Sequence, residues 1–316
     1  MSRIQTICEQ ARDAGRKLLV PYLVCGDPTA DITLRLMHEL VEQGADIIEL
    51  GFPFSDPASD GPVIQRGVER ALAGKTSLAD CLAVAKNFRD TNTTTPVVLM
   101  GYLNPVEVMG YARFAEVCAN SGVDGVLIVD MPPAEAALAT AATSATATAA
   151  ATATTPATAI TPTTTLKQEL AQHSIDNIFL VAPTTSEARS RAIVSQCSGY
   201  LYYVSLKGVT GAALSDTDAV QGKMKTLRAL TKLPIVIGFG IKDADSAAAM
   251  AGLADGVVIG SALVQEIAKL AGAANSPAAE QGSGKHNKPE SSVNDSQISQ
   301  ATAIISQARQ AIDSIG

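Results

Sequence analysis

The 316-residue sequence reads as an α/β protein of one domain, a (β/α)8 TIM barrel with an extra N-terminal helix and two low-complexity insertions. Three observations point there. Short apolar runs alternate with helical stretches about eight times along the chain. The runs are mostly continuous rather than alternating, as strands covered on both faces of a parallel sheet are. The length suits one barrel with insertions. A doubly wound open sheet is the competing arrangement. It would carry G-x-G-x-x-G after the first strand, where this chain has the turn sequence Cys25-Gly26-Asp27-Pro28.

Strands are expected over 17–24, 45–50, 96–100, 125–129, 177–181, 200–204, 234–237 and 256–259. Helices are expected over 30–43, 78–88, 105–119, 186–195, 219–230 and 244–251, with Asp31-Ile32-Thr33 opening the first of these. Two segments break the alternation. In 136–165, 25 of 30 residues are Ala or Thr, and Pro156 and Pro162 interrupt any long helix. Segment 273–297 is rich in Ser, Asn, Gly, Gln and Lys and reads as a flexible surface loop. Beyond it, apolar residues at helical spacing over 301–315 predict a terminal helix that packs back.

Composition excludes several classes of function. Hydrophobic residues at 47% supply a large core, while aromatics at 4% and no Trp leave no aromatic platform for nucleic acid. A net charge of −7 without a basic run argues against binding a phosphate backbone. Cys8, Cys25, Cys81, Cys118 and Cys197 are scattered without a C-x-x-C, and only His38, His173 and His286 are present, so neither a disulfide framework nor a zinc site is expected. With no secretory h-region and no apolar run of membrane-spanning length, the expected location is cytoplasmic.

Four places carry candidate chemistry. Glu49 ends an apolar strand, where a barrel keeps its active site; a strand-end Glu that reaches solvent or pairs with a cation is the plain alternative. The loop that follows, 52–62, brings Asp56 and Asp60, suited to paired-carboxylate chemistry or, more simply, to a turn and a helix cap. Gly208-Val209-Thr210-Gly211 forms a glycine-flanked loop able to present the Thr210 hydroxyl, or an ordinary turn. Gly238-Phe239-Gly240 and Gly260-Ser261 follow the seventh and eighth strands, where barrels often bind phosphate through backbone N–H groups, and Ser261 could also cap its helix.

Taken together, Cys25-Gly26-Asp27-Pro28, Glu49-Leu50-Gly51-Phe52-Pro53-Phe54-Ser55-Asp56-Pro57, Asp60-Gly61-Pro62, Gly208-Val209-Thr210-Gly211 and Gly238-Phe239-Gly240-Ile241 resemble the tryptophan synthase alpha chain family. The resemblance covers nearly the whole chain outside the two odd segments. It implies a lyase that cleaves indole-3-glycerol phosphate to indole and glyceraldehyde 3-phosphate in a retro-aldol step. It further implies no cofactor in this chain, and a beta-chain partner that carries pyridoxal phosphate, takes up the indole and assembles as α2β2. By analogy, Glu49 protonates ring carbon C3 and takes the side-chain hydroxyl proton, Asp60 holds and deprotonates the ring N–H, and Thr210 closes over the substrate. The resemblance places Tyr22, Ile64, Met100, Leu127, Val129, Tyr202 and Val204 around the indole ring. It gives Gly211, Gly240, Gly260 and Ser261 to the phosphate and puts Asp56 on the beta-facing side. Tyr22 stands where Phe is common. Two other readings stand beside this one. A Schiff-base aldolase would want a strand-end lysine, and Lys207, the nearest, lies in the glycine-rich loop. A non-catalytic partner of the beta chain is disfavoured by intact Glu49 and Asp60.

Overall fold

The eight apolar segments form β1 (Leu18–Val24), β2 (Ile48–Gly51), β3 (Val97–Gly101), β4 (Gly125–Ile128), β5 (Asp176–Val181), β6 (Leu201–Val204), β7 (Ile235–Gly238) and β8 (Gly256–Ile259). Each runs parallel to the next, and β8 returns to β1 in the register Leu18↔Gly256 to Pro21↔Ile259, which closes a barrel. The computed structural model describes residues 2–131, 133, 162–205, 217–238, 240–274 and 293–315. The core of the 136–165 insertion and most of 273–297 lie outside these residues, as do Thr210, Gly211 and Phe239.

Continuous apolar runs are required because both strand faces are buried. Alternate residues divide between two cores. Val20, Tyr22, Val98, Leu127, Ile178, Tyr202, Val236 and Val258 fill the barrel interior. Leu19, Leu50, Leu99, Val126, Phe179, Tyr203, Ile237 and Val257 face the surrounding helices. Strand β2 starts at Ile48 rather than 45. Asp46, just before it, accepts the Leu19 N–H on its carboxylate at 2.8 Å and gives its own N–H to Leu19 O at 2.9 Å.

Helix α1 (Arg3–Asp13), capped by Ser2, is the expected extra helix. Its Ile4, Cys8 and Ala11 join the interior cluster at the N-terminal end of the strands. Around the barrel run α2 (Ala30–Glu42), α3 (Pro62–Ala73), α4 (Leu78–Arg89), α5 (Leu103–Met109), α6 (Tyr111–Asn120), α7 (Pro162–Gln172), α8 (Glu187–Val194), α9 (Thr217–Leu230), α10 (Ala244–Ala251), α11 (Ser261–Ile267) and α12 (Leu270–Ala274). The helix expected over 105–119 is two helices, because Gly110 between them adopts φ +84°. Helix α2 is capped by Thr29, not Asp31, which lies inside its first turn. The terminal helix α13 (Asp295–Asp313) starts six residues earlier than expected, since Asn294 and Gln297 form a reciprocal capping box and Ile298 extends the apolar stripe. The last four residues of the 136–165 tract belong to α7, which Pro162 opens. No helix among the described residues is long and apolar enough to cross a membrane.

Candidate active site

A cavity of about 860 Å³ opens where the strands end. Glu49 reaches it from β2, opposite Tyr22 of β1 and Val98 of β3 in the sheet register. Its side chain is fully buried. The Tyr200 hydroxyl, just before β6, donates to Glu49 Oε1 at 2.6 Å, while Oε2 has no partner among the described residues. Burial pushes the Glu49 carboxyl up to about 8, against the smaller pull of the Tyr200 hydrogen bond. At neutral pH Glu49 is therefore largely protonated, and it lines the cavity.

Asp60 ends the loop ahead of α3 and is the second carboxyl on this cavity. It does not cap the helix: Gly61 is the N-cap, with no side-chain bond, and Pro62 opens the first turn. The Tyr102 hydroxyl donates to Asp60 Oδ2 at 3.0 Å and accepts the Ser59 N–H at 3.1 Å. Burial raises the Asp60 carboxyl above the usual range, and the Tyr102 bond works the other way.

The contrast with the other buried acids is informative. Asp27, Asp46 and Asp124 are each paired with arginine, as is the less buried Asp255. Among the described residues Glu49 and Asp60 have no cation partner. A buried and a half-buried carboxyl, both without counter-charge on one cavity, mark a candidate functional site.

The other expected positions divide as follows. Tyr22, Ile64, Met100, Val129, Tyr202 and Val204 line the cavity. Leu127 does not; it is fully buried in the interior cluster. A methyl group at Gly51 would overlap the Tyr22 hydroxyl, and one at Gly238 the Tyr202 hydroxyl, so the two glycines make room for the two phenols. Gly240, Gly260 and Ser261 also line the cavity, and Gly240 takes φ +82°, a conformation that favours glycine. Ser261 is not a cap: Gly260 holds the N-cap position of α11 and makes no side-chain cap bond. Asp56 is exposed and accepts the Ser55 hydroxyl at 2.6 Å. Thr210 and Gly211 lie outside the described residues.

Four lining or supporting residues escaped sequence reasoning. Tyr200 and Tyr102 orient the two carboxyls. Arg189 and Lys242 bring exposed cationic side chains to the same cavity. Lys242 follows Gly240 by two residues, a proximity that the glycine motif could have flagged.

The family model described as tryptophan synthase alpha chain matches residues 8–161 and 156–294. The chain belongs to the tryptophan synthase alpha chain family. The alpha chain of Thioalkalivibrio sulfidiphilus (strain HL-EbGR7) is 52% identical over 269 residues, 85% of this chain and 91% of that protein. That of Marinobacter nauticus is 49% identical over 269 residues, 85% of this chain and 90% of that protein. The crystal structure of tryptophan synthase subunit alpha from Legionella pneumophila str. Paris superimposes with a TM-score of 0.78 at 37% identity, over 99% of each chain. The family is a lyase that cleaves indole-3-glycerol phosphate by an aldol cleavage, and the indole is channelled to a beta subunit. The alpha chain needs no cofactor; pyridoxal phosphate belongs to the beta subunit.

Proposed function

We propose that Glu49 and Asp60 are the acid and base of this cleavage. The observation that carries the reading is the pair itself: two raised, cation-free carboxyls face one cavity, each held by a single phenol. Protonated Glu49 gives its proton to C3 of the indole ring while Asp60 takes the proton from the ring nitrogen. The Glu49 carboxylate so formed takes the proton of the side-chain hydroxyl. The bond from C3 to the carbinol carbon then breaks, its electrons return to the ring, and the oxygen becomes the aldehyde of glyceraldehyde 3-phosphate. Return of the Asp60 proton to the ring nitrogen completes indole, with atoms and charge balanced. Environments that leave one carboxyl protonated and the other ionised divide the labour in this way.

Tyr22, Ile64, Met100, Val129, Tyr202 and Val204 flank the ring in this reading, with Leu127 packed beneath them. Gly240, Gly260 and Ser261 hold the phosphate through backbone N–H groups, joined by Gly211, while Thr210 closes over the ring beside Asp60. Lys242 adds a positive charge at that end. Exposed Asp56 belongs to the surface offered to the beta chain, in an α2β2 assembly in the cytoplasm. The test is indole release from indole-3-glycerol phosphate by the purified chain, with and without a beta chain. Release that rises on adding beta supports both activity and partnership. A folded chain that releases none in either condition overturns the reading.

A further inference from the structure

Behind Asp60 lies a second, much smaller cavity of about 10 Å³, the room that one water needs. Its walls are mostly apolar, with Phe52, Phe54, Val68, Met100 and Val129 among them. Three polar side chains also reach it: Tyr22, Asp60 and Tyr102. Their hydrogen-bonding capacity is unequally used. The Tyr102 hydroxyl already donates to Asp60 Oδ2 and accepts from Ser59, which leaves it one lone pair. Asp60 Oδ1 receives no hydrogen bond from any described residue. The Tyr22 hydroxyl makes none among the described residues, and the residue as a whole is 9% exposed. It is seated over Gly51, where even a methyl group would collide with it.

We propose that this small cavity binds one ordered water that bridges the Tyr22 hydroxyl to the Asp60 carboxylate, making Tyr22 a positioning residue for the base of the reaction. The water accepts the Tyr22 O–H and donates to Asp60 and to the remaining lone pair of Tyr102. That gives it three bonds, the usual number for a buried water. A phenylalanine at position 22 keeps the apolar wall and loses the donor. The inference rests on the reading of Asp60 as the base. The titratable groups around Asp60 are Tyr22 from β1, Glu49 from β2, Tyr102 after β3 and Tyr202 from β6, and the cations Arg189 and Lys242 line the larger cavity. None of these cations pairs with Asp60, so a donated hydrogen bond is the interaction left to favour its charged form.

The experiment compares the chain with Tyr22→Phe, a change that keeps the ring, in two readouts. High-resolution crystal structures should show a water bonded to Tyr22 Oη and Asp60, and its loss in the variant. The pH profile of kcat/KM for indole-3-glycerol phosphate should shift its acidic limb up in Tyr22→Phe by about one to two units, as expected for one hydrogen bond to a charged group. A site without water in the parent, or an acidic limb that does not move in a folded variant, overturns the proposal. Asp60→Asn is measured alongside. If it keeps its turnover, the base reading fails and the positioning role of Tyr22 fails with it. If it is inactive while the limb of Tyr22→Phe is unmoved, only the bridge is overturned.

Discussion

Burial without a counter-ion makes Glu49 an acid at neutral pH, and the sign of its shift fixes two measurements. Its acid form is present below about 8 and lost above it, whereas the base form of Asp60 is lost as pH falls through its raised value. Cleavage should therefore follow a bell-shaped profile with the basic limb near 8. Tyr200→Phe removes a bond that favours the charged carboxylate, so that limb should move further up while turnover falls; an unmoved limb would deny Tyr200 its role. The same shift bears on stability. Between 4.5 and about 8 the folded chain keeps a proton that the unfolded chain gives up, so stability from this group falls as pH rises through that window. Glu49→Gln should flatten the loss of melting temperature across it, and equal slopes in the two proteins would contradict the burial argument. Glu49 stood out because a carboxylate closes an apolar strand, whereas Asp60 in the next loop read more simply as a turn or cap and was singled out by the order of the motifs. Tyr200 and Tyr102 did not stand out, since tyrosine is an ordinary strand residue and only register reveals whose carboxyl its hydroxyl meets.

Strands and loops put charge to different use at the two ends of the barrel. At strand starts, Asp46, Asp124 and Asp255 each pair with arginine and also accept a backbone N–H of a neighbouring strand, from Leu19, Val97 and Ile235 respectively. These acids hold strands together, a duty that Glu49 and Asp60 at the opposite end do not share among the described residues. The seam between β1 and β8 is equally constrained. A Cβ at Gly256 would stand 2.5 Å from Leu18 Cβ and 2.6 Å from its carbonyl oxygen, backbone-anchored atoms that have nowhere to go. Gly256→Ala should destabilise the fold by about 1–3 kcal/mol in urea unfolding, with parent-like stability as the contrary result. In the loop after β7, Lys242→Ala should raise KM for indole-3-glycerol phosphate several-fold with kcat little changed, and increasingly so at low salt. An unchanged KM would remove Lys242 from the phosphate end. The elements were legible from continuous apolar runs. Their ends were less so: Gly110 splits a helix that periodicity alone joins, and Asn294 starts one ahead of its apolar stripe.

The molecule combines a barrel whose interior is sealed at one end by α1 with a cavity of about 860 Å³ at the other. The family model matches 8–161 and 156–294, and the two stretches overlap inside the Ala/Thr-rich tract. Trimming 140–161 should leave indole production largely intact, and a trimmed chain that folds but is inactive would give the tract a part in the reaction. The barrel was legible from strand count and spacing, and the reaction from the order of the motifs. The pairing of each carboxyl with one phenol and no cation was visible only once the chain had closed. That pairing is tested most directly by the rate of indole release from indole-3-glycerol phosphate in Glu49→Gln and Asp60→Asn. Both variants should fold, and each should lose turnover by at least about 100-fold. Near-normal cleavage by both would contradict the acid–base assignment.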